Sequence, residues 1–269
     1  MNSNFIKRVF SALLLFPLLT LLIFKGPYSL LFFTLIFCLS IAWYEWKKLF
    51  SFPISYFFYG FLLLFFSLWI LNRFSPLYLF FFLFLLSFLP QMFNFEQEKF
   101  KNIFFPFFIG LIYLTLGFGT IKILIQSYSR EILFFLFCVV FANDTGAYLV
   151  GKKWGKSPFF SKISPKKTWE GLFGGLFFAL ILGFLLNAIF SLWSYISLLT
   201  LVLMLSFCAV MGDLFESAVK RLTGKKDSGI IIPGHGGLLD RIDGVIFASP
   251  LYLFFLEVLN YGVSYRLGL

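Results

Sequence analysis

"ISLLTLVLMLSFCAVMGDLFESAVKR", residues 196–221, decides the fold. Its first 17 residues carry no charge, and a run of roughly 17–25 predominantly apolar residues crosses a bilayer as a helix. The charges then arrive together. If the helix continues past the apolar run, Ser217 follows Asp213 by four, Lys220 and Arg221 follow Ser217 by three and four, and all lie along one stripe. Asp213 sits at the apolar boundary, where an ionised carboxylate must be paired or must bind a cation. A structural ion pair with Lys220 satisfies that demand, and so does a metal or substrate role.

The rest of the chain has the same character. Of 269 residues, 60% are hydrophobic and only 13% charged, about half the usual charged share, which excludes an ordinary soluble globular protein. Nine apolar segments, near 9–24, 30–43, 55–71, 77–93, 103–121, 132–150, 171–190, 196–212 and 244–259, predict an all-α polytopic integral membrane protein of about nine transmembrane helices. The start, "MNSNFIKRVFSALLLFPLLTLLIF", reads as a retained first span, because no small-residue cleavage site follows it. The 44 phenylalanines reflect a lipid-facing surface rather than a function. Cys38, Cys138 and Cys208 lie far apart inside apolar runs and imply neither a disulfide framework nor a metal site.

A net charge of +10 raises the question of nucleic acid, but in a membrane protein the position of each charge matters more. The N-terminus and the loops after spans two, four, six and eight hold 17 Lys and Arg against 5 on the other side. That asymmetry predicts a cytoplasmic N-terminus and an external C-terminus. The loops after spans six and eight hold six and five basic residues, more than orientation requires. Residues 140–245 also contain seven of the twelve acidic residues. The chain therefore divides into N-terminal membrane helices, 1–130, and a catalytic membrane region, 131–269, with its site at the cytoplasmic face. Glu45, in "WYEWKK" at the end of span two, is expected to pair with a nearby lysine.

Four groups of residues carry the chemistry. Asp240 and Asp243, in "GGLLDRIDGV", are three apart and share a face at the start of span nine. Two such carboxylates repel unless a cation or a shared proton intervenes, and an oxygen set of this kind suits Mg²⁺. Helix capping is the milder explanation. The "PGHGG" turn supplies Gly234, Gly236 and Gly237, whose backbone N–H groups could approach a phosphate. His235 could bond phosphate, act as acid or base, or support the turn. Lys166 and Lys167 stand beside Thr168, the expected N-cap of span seven, and form an anion site. Asp144, in "NDTGAY", is placed near the end of span six, facing the bundle interior. Carboxylates, one plausible Mg²⁺ site, many cations and glycine turns at one face are the inventory of phosphoryl or nucleotidyl transfer. Neither a P-loop nor a dinucleotide-binding glycine pattern is present.

The stretch "SAVKRLTGKKDSGIIIPGHGGLLDRID", residues 217–243, resembles the signature of the bacterial phosphatidate cytidylyltransferase (CDP-diacylglycerol synthase) family. The matching positions are Ser217, Lys220, Arg221, Lys226, Asp227, His235, Gly236, Gly237, Asp240, Arg241 and Asp243, with "DTGAY" and "SPKKTWEG" similar upstream. The resemblance implies transfer of CMP from CTP to phosphatidate in the cell membrane, giving CDP-diacylglycerol and pyrophosphate. It implies divalent metal (Mg²⁺, with a second cation nearby) at Asp213, Asp240 and Asp243. Phosphates would be bound by Lys166, Lys167, Lys220, Arg221 and Lys226, while Arg241 would either join them or pair with an aspartate. Membrane lipids and a second copy of the chain, as a homodimer, are the further partners implied; nucleic acid is not. A related lipid cytidylyltransferase or lipid kinase is the nearest rival. A transporter would call for paired broken helices in two halves, a symmetry the chain lacks.

Overall fold

The computed structural model describes residues 15–71, 76–93, 100–229 and 236–259. His235 and Gly234 lie outside the described residues, as does residue 9–14 of the first expected span. The described residues form nine α-helices: α1 (Leu15–Lys25), α2 (Tyr28–Phe50), α3 (Ile54–Ile70), α4 (Pro76–Phe93), α5 (Phe105–Ser127), α6 (Arg130–Trp154), α7 (Trp169–Phe190), α8 (Tyr195–Leu222) and α9 (Leu239–Val258). A π-helical turn, Phe100–Phe104, leads into α5. No strand occurs among the described residues, though Pro158 and Thr168 form an isolated antiparallel bridge. Each expected apolar segment corresponds to one helix. Five helices (α2, α5, α6, α7 and α8) are long and apolar enough to cross a membrane, with α5 counted from Asn102.

Local chemistry explains several helix ends. Thr168 occupies the N-cap of α7, where its Oγ1 accepts the Gly171 N–H at 3.1 Å, as the sequence predicts. Ser194 caps α8 in the same way by accepting the Ser197 N–H. The α8 helix runs on past Gly212 to Leu222, so the charged stripe is helical. Helix α9 begins at Leu239, five residues before the apolar run, and so carries both Asp240 and Asp243.

Two groups of helices share one continuous core. Helix α5 is packed by α2, α3 and α4, while α6, α7 and α8 pack on one another. Helix α9 joins them, lying against α8, α5 and α6. The buried indoles of α2 are fully used, Trp43 Nε1 donating to the Phe57 carbonyl and Trp46 Nε1 to the Pro106 carbonyl, each at 2.9 Å. Tyr252 of α9 donates to the Ile132 carbonyl of α6 at 3.0 Å. With lipid outside, burial of apolar surface gives little drive for one helix to choose another, and close packing of small residues takes over. The α6–α7 pair is the clearest case. Its backbones approach until a Cβ on Gly175 would stand 2.6 Å from the Asn143 carbonyl oxygen.

The two ends of the bundle differ. At one end Arg130 donates to the Ile23 and Gly26 carbonyls at 2.6 and 2.7 Å and lies over the Tyr28 ring. At the other end meet the close of α2, the start of α5, the α6–α7 loop, the close of α8 and the start of α9. This second end holds the charged residues singled out in the sequence.

Gly175→Val should separate α6 from α7, because the obstructing atom is backbone and cannot rotate away. The expected loss is about 1–3 kcal/mol, measured as a lower thermal midpoint of the detergent-solubilised protein.

Candidate active site

Helix α8 brings Asp213, Glu216, Ser217 and Lys220 toward the start of α9. The Lys220 ammonium lies 2.6 Å from Asp240 Oδ1 and 3.5 Å from Glu216 Oε1, and all three side chains are largely buried. Lys220 therefore pairs with Asp240, not with Asp213, and it offsets two carboxylates at once. Asp213 instead meets Lys167 from the α6–α7 loop at 2.7 Å, and its Oδ1 accepts the Ser217 hydroxyl at 3.3 Å. The Asp213 side chain remains 44% exposed. Asp144 of α6 is within electrostatic reach of Asp243, Asp213 and Lys167. Asp243 is buried on α9, with one oxygen accepting the Gly244 N–H at 2.9 Å.

The turn before α9 departs from expectation. Among the described residues, the N–H groups of Gly237, Leu238 and Leu239 are taken by carboxylates of the protein itself. Gly237 N donates to Asp240 Oδ2 at 2.8 Å, Leu238 N to Glu45 Oε1 and Leu239 N to Glu45 Oε2, both at 2.9 Å. Ser228 reaches the same two carboxylates, giving its N–H to Asp240 at 3.0 Å and its hydroxyl to Asp240 at 2.9 Å or Glu45 at 3.2 Å. Gly236 has φ +86°, and a Cβ on Gly237 would stand 2.6 Å from Glu45 Oε2. These glycines admit protein carboxylates. Glu45 likewise departs from the expected lysine pair: its recorded partners are two backbone amides and a hydroxyl.

Asp240 has both oxygens engaged, Oδ1 by Lys220 and Oδ2 by Gly237 and Ser228. Among the described residues no three His, Cys, Asp or Glu side chains come together as a group able to hold a metal. The trio Asp213, Asp240 and Asp243 is thus not a ready-made cage, and Asp240 braces the start of α9. Hard carboxylate oxygens still suit Mg²⁺, which usually takes only one or two carboxylates and completes its shell with water and substrate phosphates. Asp213, with its accessible oxygens and a cation already against it, fits such a site, and Asp243 and Asp144 are its acidic neighbours.

The expected phosphate ligands are positioned around this cluster. Lys166, Lys226, Arg221 and Arg241 are exposed at the same end, as is Asp227, which abuts Gly236. Arg221 Nε donates to the Ile163 carbonyl at 3.3 Å and so ties α8 to the α6–α7 loop. Lys225 donates to the Lys48 and Leu49 carbonyls at the close of α2. Burial and, second, the Lys48 ammonium hold the Lys225 pKa below the usual lysine value.

Two participants escape the stripe pattern. Glu216 is fully buried, and among the described residues neither carboxylate oxygen has a hydrogen-bond partner. Its signal was its spacing, three after Asp213 and four before Lys220. Ser228 carried no local signal at all.

Carboxylates and ammonium groups thus gather at one end of an apolar helical bundle. The chain belongs to the cytidylyltransferase family, which it matches over residues 6–259. It is similar to the phosphatidate cytidylyltransferase of Bacillus subtilis (strain 168), 42% identical over 137 residues, 51% of each chain. It is also similar to that of Staphylococcus aureus (strain COL), 47% identical over 128 residues, 47% of this chain and 49% of the relative. A third is phosphatidate cytidylyltransferase 5, chloroplastic, of Arabidopsis thaliana, 47% identical over 124 residues, 45% of this chain and 31% of the relative. The chain spans about half the length of the bacterial relatives it matches, and less of the plant one.

Lys220→Met should leave Asp240 and Glu216 buried beside each other without a counter-charge. A loss of about 3–5 kcal/mol is expected, read as a lower thermal midpoint. Adding Glu216→Gln should restore part of it, because one of the stranded charges is then gone.

Proposed function

We propose that this protein transfers the cytidylyl group of CTP to phosphatidate. A phosphatidate phosphate oxygen attacks the α-phosphorus of CTP, forming a new P–O bond. The bond between the α-phosphorus and the bridging oxygen breaks, and pyrophosphate leaves. The observation that carries this reading is the convergence of Asp144, Lys167, Asp213, Lys220 and Asp243 from three helices and a loop. Family membership and the activity named for the relatives support the choice of nucleotide and lipid.

Each residue has a part that follows from its chemistry. Mg²⁺, carried in with the nucleotide, would be held by Asp213 with Asp243, and would supply neutralisation of charge on the phosphate oxygens. Lys166, Lys226, Arg221 and Arg241 are exposed cations that suit the triphosphate and the lipid phosphate. Lys167 bonds Asp213 at 2.7 Å and can turn from it to a phosphate once substrate arrives. Lys220 and Asp240 keep α8 and α9 in register. The balance of 17 basic residues against 5 supports a cytoplasmic site, where CTP is dissolved and phosphatidate is met at the bilayer surface.

Purified protein in mixed micelles, given labelled CTP, phosphatidate and Mg²⁺, should form lipid-linked CMP, and ATP should not replace CTP. Asp213→Asn and Asp243→Asn should each lower kcat by about 100-fold or more. Product formation from ATP at an equal rate would favour a lipid kinase, and full activity in both variants would remove the metal assignment.

A further inference from the structure

Helix α9 has no cap of its own. Its N-cap position is Leu238, whose side chain offers no hydrogen bond, although helix starts leave backbone N–H groups in need of acceptors. The acceptor comes from elsewhere. Glu45 of α2, buried to 1% exposure, takes Leu238 N–H on one oxygen and Leu239 N–H on the other. Its second oxygen also meets Ser228 Oγ, the hydroxyl that bridges to Asp240. Close by, Lys225 gives its ammonium to the Lys48 and Leu49 carbonyls, so α2 holds the approach to α9 at two places with opposite charges.

We infer that Glu45 is a positioning residue of the transfer site, setting the first turn of α9 and with it Asp240 and Asp243. A local Ser or Asp at position 238 would cap the helix with less buried charge. Using a carboxylate from α2, 193 residues earlier than Leu238, ties the location of the turn to the N-terminal helices as well as closing its hydrogen bonds. Gly237 fits the same account, since any side chain there would collide with the Glu45 carboxylate. Sites for phosphoryl chemistry tolerate displacements of only about 0.5 Å, and one turn separates Asp240 from Asp243.

The inference rests on the proposed cytidylyl transfer, and the experiment separates the two. Glu45→Gln keeps shape but has one acceptor oxygen, and its amide N–H₂ would face the Leu238 or Leu239 N–H. At matched amounts of folded protein, its kcat should fall about 10–100-fold and the Mg²⁺ concentration for half activity should rise about 10-fold. KM for CTP at saturating Mg²⁺ should change about twofold at most. Glu45→Asp, shorter but still charged, should fall between the two. Ser228→Ala should move kcat and Mg²⁺ dependence the same way, and combined with Glu45→Gln its effect should be less than additive. Wild-type kcat and Mg²⁺ dependence in Glu45→Gln would overturn the inference. So would an activity loss matched by lost folded protein with the Mg²⁺ dependence unchanged. If Glu45→Gln does not fold, Ser228→Ala decides, and wild-type behaviour there overturns it. A wild-type protein making no lipid-linked CMP would instead remove the proposed reaction, and this inference with it.

Discussion

A carboxylate inside an apolar helix bundle persists only where donors or cations meet it, and that constraint organises this protein. Asp240 is held by Lys220 on one oxygen and by Gly237 and Ser228 on the other. Glu45 is held by two amides of the same turn and by the same serine. These two carboxylates define where α9 begins, and α9 is the helix that joins the two halves of the core. Site geometry and bundle geometry therefore share the same hydrogen bonds.

The groups left less satisfied are the ones suited to chemistry. Asp213 keeps an accessible carboxylate against Lys167, and Asp144 is within electrostatic reach of both. Glu216 is buried with Lys220 as its charge partner and no hydrogen bond. A buried polar group without a full set of partners costs stability, and such groups tend to occur at functional sites. The division is spatial: braced carboxylates at the α9 turn, available ones toward the α6–α7 loop.

Much of this was legible in the chain. Among the described residues each expected apolar segment falls on a helix, because in a bilayer a long apolar run has few alternatives to a helix. Thr168 as an N-cap and the helical stripe from Asp213 to Arg221 are local features, and both stand as expected. Partners across the fold were harder to read. Lys220 serves Asp240 and Glu216, and Glu45 meets backbone amides where a lysine was expected. Gly236 and Gly237 make room for carboxylates of the protein itself.

The sequence alone determined that the protein is a helical membrane bundle and that most of its acidic residues fall within residues 140–245. Hydropathy, charge balance and helix period act between neighbours along the chain, so a reader of the chain can see them. Which carboxylate is braced and which is available was decided only by tertiary structure. Glu45 and Leu238 are 193 residues apart, and Lys167 and Asp213 are 46 apart. Their contacts depend on how α2, α8 and α9 pack, and packing in lipid is set by close fit of whole helix faces, which no single segment displays.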